Sequence, residues 1–141
     1  MHIMGVNLWA VLVAAVATMP LGFLWYSPML FANPWMKLMG YDPNDKASAE
    51  RMRKSAGPAY LGSLIASVVS AFVLALFLHE MHVQSLEIGL LVGSHVWLGF
   101  VATVQLTGAL FTKQSMKLFA INTGYQLVCY LAMSAILTVW R

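Results

Sequence analysis

Ala59-Tyr60-Leu61-Gly62-Ser63-Leu64-Ile65-Ala66-Ser67-Val68-Val69-Ser70-Ala71-Phe72-Val73-Leu74-Ala75-Leu76-Phe77-Leu78 is an unbroken run of apolar and small residues without a charge. A helix crossing about 30 Å of hydrocarbon needs roughly 20 such residues, because every backbone N–H and C=O must be satisfied inside the segment. The run therefore reads as a transmembrane helix. Three further stretches meet the same test, at about 7–31, 86–111 and 118–140. None holds lysine, arginine or aspartate, and Glu87 stands at the very edge of its span. The expected fold is all-α, a single four-helix transmembrane bundle over residues 1–141.

Composition agrees. Hydrophobic residues make up 60% of the chain and charged residues 9%, whereas a soluble domain covers its surface with about 25% charged residues. The net charge of +3 does not mark a nucleic-acid binder, since the basic residues lie between apolar runs and form no groove-lining array. The one cysteine, Cys129, excludes an intramolecular disulfide and sits within an apolar run. Met1 to Val6 has no lysine or arginine, so the first run reads as a mature helix and not as a cleaved leader. Pro20 should bend that helix, and Trp25-Tyr26-Ser27-Pro28 reads as its exit into the interface.

Short cytoplasmic loops retain lysine and arginine during insertion. Lys37, Lys46, Arg51, Arg53 and Lys54 follow the first run, Lys113 and Lys117 follow the third, and only Arg141 lies on the other side. Both termini are therefore expected to be non-cytoplasmic. In the first loop, Asp42 as N-cap, Pro43 at the first helical position and Asp45 after it predict a short cytoplasmic amphipathic helix. It should end near Arg53-Lys54, before Gly57-Pro58. Its basic end is a solvated surface or a contact to anionic membrane lipids.

Between spans, small residues permit close approach and polar residues bond across helices. Ala59, Ser63, Ser67, Ala71 and Ala75 recur every four residues, as do Ala10, Ala14, Thr18 and Gly22, while Gly89 and Gly93 open the third span. The fourth span repeats Asn122, Gln126, Tyr130, Ser134 and Thr138, and the third carries His95, Thr103, Gln105 and Thr107. A polar interior between these two helices is expected. It either fixes helix register or forms a small-molecule pocket, with His95, Gln105, Asn122, Gln126 and Tyr130 as the candidate ligand-binding residues.

Catalytic signatures do not appear: there is no P-loop, dinucleotide fingerprint, nucleophile elbow or carboxylate pair. No catalytic residue, cofactor or metal is assigned. His79-Glu80-Met81-His82 has metal-like spacing but reads first as a loop.

Gly22-Phe23-Leu24-Trp25-Tyr26-Ser27-Pro28, Leu30-Phe31, Trp35-Met36-Lys37 and Gly40, with Trp97-Leu98-Gly99-Phe100 and Ile121-Asn122-Thr123-Gly124-Tyr125-Gln126-Leu127, carry a family resemblance. On these elements the chain resembles the bacterial membrane-protein family called domain of unknown function 1761. The resemblance implies a small, multi-pass bacterial inner-membrane protein of unestablished activity. It draws attention to Trp25, Tyr26, Ser27, Pro28, Trp97, Asn122 and Tyr125. Phe31-Ala32-Asn33-Pro34 departs from the phenylalanine-glycine of many members. The expected role is a non-enzymatic one, exerted through helix packing as a homo-oligomer or as an accessory subunit of a membrane complex. The alternative is a small-molecule binder or transporter using the polar residues between the third and fourth helices.

Overall fold

The computed structural model describes residues 1–42 and 44–141. Among them, four helices are long and apolar enough to cross a membrane, as expected of a multi-pass membrane protein. They are α1 (Leu8–Trp25), α3 (Lys46–Glu80), a third made of α4 (Leu86–Val96), a π-helical turn (Trp97–Ala102) and α5 (Thr103–Phe111), and α6 (Met116–Val139). A short helix, α2 (Ala32–Leu38), lies in the first connection. Two two-residue strands, β1 (His2–Ile3) and β2 (Val6–Asn7), pair antiparallel with His2 opposite Asn7. The loop of this hairpin puts Met4 at φ 54° and Gly5 at φ 79°, the positive-φ pair that a two-residue hairpin turn requires. Sequence periodicity carries no hint of so short a hairpin.

The spans alternate in direction. Gly5 abuts His79, and Gly89 abuts Thr138, so the start of α1, the end of α3, the start of α4 and the end of α6 share one end of the bundle. Trp25 of α1 meets Ile121 of α6 at the other. α6 packs along α1 on one side and along the third span on another.

Three boundaries differ from the sequence reading. α1 runs through Pro20 but stops at Trp25, short of Phe31. Ser27 precedes Pro28 and is pushed out of the helical region, while its Oγ donates to Leu24 O at 2.7 Å and satisfies a terminal carbonyl. At about 1.5 Å per residue, the helix still covers about 27 Å. The helix expected after Asp42 is capped instead by Asp45, whose Oδ1 accepts from Ala47 N at 3.0 Å. The place expected for Pro43 lies outside the described residues. That helix does not stop at Gly57-Pro58 but continues as α3 for 35 residues with Pro58 inside. Pro58 removes one backbone bond from an exposed turn, and helix propagation on both sides of it carries the chain across.

The small-residue ridges pack, but not over their full length. A step of four residues turns about 400° around a helix, so each repeat drifts by about 40°. Ala71 and Ala75 are buried, and Ser67 Oγ lies 3.1 Å from Thr18 Oγ of α1. Ala59 and Ser63, a full turn or two earlier, face outward. Gly89 and Gly93 instead hold α4 tightly on α6, against Thr138 and Ser134. Those two hydroxyl oxygens are buried without a hydrogen-bond partner among the described residues. Each faces the glycine backbone at a distance suited to weak Cα–H···O contacts.

Candidate functional site

The same drift splits the polar stripe of α6. From Asn122 to Thr138 it rotates by about 160°, so its two ends serve two different neighbours. Asn122 Oδ1 accepts from the Tyr26 hydroxyl at 2.8 Å, at the end of α1. Ser134 and Thr138 meet the glycines of α4. Gln126 and Tyr130 are half-buried between, and their side chains make no hydrogen bond among the described residues.

The third span is re-phased in its middle. Gly89, Gly93 and Trp97 face α6, and the next inward residues are Ala102, Gln105 and Ala109. The five-residue step from Trp97 to Ala102 is absorbed by the π turn, whose bonds run from i to i+5. A continuous α-helix would leave Gln105 about 100° off this face. In the observed register, Thr123 Oγ1 donates to Gln105 Oε1 at 2.6 Å and the Trp97 indole N–H donates to Thr123 O at 2.9 Å.

His95, Thr103 and Thr107 lie on the opposite, outward face, so the structure does not bring His95 together with the other candidates. The His95 ring donates from Nδ1 to Leu91 O at 2.6 Å. Thr103 and Thr107 donate to Gly99 O and Thr103 O of their own helix. Polarity alone assigns these groups to the interior; the helical phase sends them out.

The resemblance motifs converge on residues 121–125. Trp25 Nε1 donates to Ile121 O at 3.0 Å, and its ring covers Gly124, where a Cβ would lie 3.2 Å from Cζ2. The Tyr125 hydroxyl donates to Thr18 O at 3.0 Å over Gly22. Tyr26 stands edge-on to Tyr125 and Trp35, with centroids 5.3 and 5.6 Å apart. Carbonyl oxygens already used in the α6 ladder accept the indole donors through their second lone pair. The cluster ties the end of α1, the third span and α6 into one unit.

Beside it, between α5 and α6, is a recess of about 350 Å³, within the usual range for small-molecule sites. Gln105, Thr112, Gln114, Phe119, Asn122 and Thr123 line it with Gly108 and Ala109. Only Gln105 and Asn122 of the five candidate residues are in that lining. Both carboxamide oxygens are occupied, by Thr123 and Tyr26, which leaves their NH₂ groups as donors. No charged side chain lines the recess among the described residues. Thr112 and Gln114 have no place in the sequence reading, and Thr123 enters it only within the resemblance motif, since all three fall outside the every-four repeat and reach the recess through the helix ends and the π turn.

His79 and His82 lie at the far end of the bundle, and the described residues contain no group of three or more histidine, cysteine or acidic side chains able to hold a metal. The profile of the family described as Protein of unknown function (DUF1761) matches residues 9–138. No curated protein and no solved structure matches the chain.

Proposed function

The chain belongs to the DUF1761 family, and from that premise we propose that it is a membrane-embedded binder of a small uncharged molecule bearing carbonyl or hydroxyl oxygens, held between α5 and α6. The observation that carries this reading is the pair of free carboxamide NH₂ groups of Gln105 and Asn122 at one uncharged recess. Donors without charges favour neutral acceptors, because a bare carboxylate there would lose its hydration without gaining a counter-charge. Phe119 offers an apolar wall for a ring or chain. Lys113 and Lys117, with the basic first connection at the same end, support a recess on the cytoplasmic side of a bacterial inner membrane with the termini opposite.

Purified protein titrated with a short-chain monoacylglycerol and with a naphthoquinone tests the reading. Saturable binding of either is expected, with a loss of about tenfold or more in Asn122→Leu. Gly108→Leu should also weaken binding, since a side chain there enters open space at the lining without touching the packed seam. Absence of saturable binding, or binding by both variants unchanged from wild type, refutes it. Gln114→Cys, in a chain with Cys129→Ser, should react with an impermeant thiol reagent in sealed inverted vesicles; protection there and reaction in right-side-out cells would reverse the orientation.

A second reading is lateral assembly, as a homo-oligomer or an accessory subunit. Polar side chains facing hydrocarbon are costly, and His95, Thr103 and Thr107 form such an outward stripe near the middle of the third span. Light scattering of the detergent-solubilised protein should give an oligomer or complex that His95→Leu with Thr103→Leu dissociates. A strictly monomeric wild type that copurifies with no partner rules this reading out.

A further inference from the structure

At the end of the bundle opposite the recess, the N-terminal hairpin covers a cavity of about 170 Å³. Its polar lining comes from Asn7, His79, His82, Gln84, Thr138 and Arg141, with no aspartate or glutamate side chain among the described residues. Thr138 is 7% exposed, and its hydroxyl oxygen is turned onto Gly89 of α4, so it adds no free polar group to the cavity. Arg141 donates from Nε to Thr138 O at 3.0 Å and lines the same cavity. His82 is fixed by donation from Nδ1 to Glu80 O at 2.9 Å. His79 is pinned under Gly5, where any side chain would collide with its ring.

We propose that this cavity binds a phosphate group, presented either by a lipid headgroup or by a free phosphorylated molecule. The positive ends of α1 and α4 and the negative ends of α3 and α6 meet here, so the helix dipoles largely cancel and supply no preference for an anion. The side chains supply it. Arginine presents a planar fork that matches phosphate oxygens in pairs, two imidazoles add donors when protonated, and the asparagine and glutamine amides add neutral ones. Trp140 also lines the cavity, and tryptophan at a span end marks the headgroup level of a membrane. A volume of about 170 Å³ equals that of roughly five or six liquid waters. That is room for a phosphate and its first attached atoms.

The test uses the full chain in an uncharged maltoside detergent, observed through the ring proton resonances of His79 and His82. Inorganic phosphate forms one arm and a short-chain phosphatidic acid the other, with diacylglycerol of the same chains as control. Saturable shifts at both histidines are expected with a phosphate-bearing probe and not with diacylglycerol. A response to inorganic phosphate assigns a soluble source, and a response to phosphatidic acid alone assigns a headgroup. Arg141→Ala should weaken binding about tenfold or more, and Arg141→Lys should restore part of it. Arg141 is exposed, so an unchanged thermal midpoint separates lost binding from lost fold. The proposal is overturned by shifts with neither probe, by equal shifts with diacylglycerol, by unchanged binding in Arg141→Ala, or by saturation with zinc in place of phosphate. The recess between α5 and α6 does not enter any of these readouts.

Discussion

Gly93→Leu should abolish the folded bundle or lower its stability by about 3 kcal/mol, at the upper end of what overpacking costs. At Gly93 the first atom of any side chain runs into Ser134 Oγ, and it also stands 3.0 Å from Ser134 Cβ and 3.1 Å from the Tyr130 carbonyl oxygen. The last of these is backbone, so α4 and α6 must separate. Both spans are apolar enough overall to remain in the membrane; what is lost is their packing, which in lipid has no hydrophobic drive to restore it. Gly99→Leu and Gly108→Leu provide the control, since a Cβ at either meets nothing within 4 Å. Thermal unfolding in detergent should show a large fall for the first variant and wild-type behaviour for the other two. Equal stability of all three would mean that α4 and α6 do not touch through the glycines.

Trp25→Ala should be the second most damaging change, at about 3 kcal/mol. The indole donates to Ile121 O at 3.0 Å, covers Gly124 and packs against Phe31 with centroids 4.7 Å apart. Its removal leaves a gap between α1 and α6 at the very point where α1 stops. Trp25→Phe keeps part of the ring and loses the donor, for an expected cost of about 1 kcal/mol. Titration with a denaturing detergent, followed by the change in helix content and by the mobility of the folded band, separates the two. Equal midpoints for wild type and Trp25→Ala would remove the indole from the structural account. Trp25 lies next to Tyr26, which holds the Asn122 oxygen, so Trp25→Ala should also disturb the recess lined by Asn122.

Much of this was legible in residue order. Four apolar runs of membrane-spanning length require four helices, whatever their neighbours, because hydrocarbon offers no other partner for the backbone. The glycines at 89 and 93 were readable as a contact face for the same kind of reason: only missing side chains let two backbones meet. The resemblance motifs pointed to Trp25, Tyr26, Trp97, Asn122 and Tyr125, and these do gather in one cluster. Their roles in it were not readable, because each bond joins residues distant in sequence.

The polar interior shows where residue order stops. His95, Gln105, Asn122, Gln126 and Tyr130 were grouped by polarity and by an every-four spacing, but that spacing drifts around a helix and cannot stay on one face for five repeats. His95, on α4 ahead of the π turn, already faces outward, and the turn then shifts the phase of α5 so that Gln105 enters. The Gly57-Pro58 pair likewise gave no stop, since an exposed turn tolerates one missing backbone bond while helix continues on both sides. Composition and run length by themselves determined that this protein is four membrane-crossing helices, because that follows from solvation of the backbone alone. Which polar groups meet, and where the recess and the end cavity open, was decided only by the tertiary structure. Those outcomes depend on the rotational phase of each helix against its neighbours, to which a shift of one residue contributes about 100°.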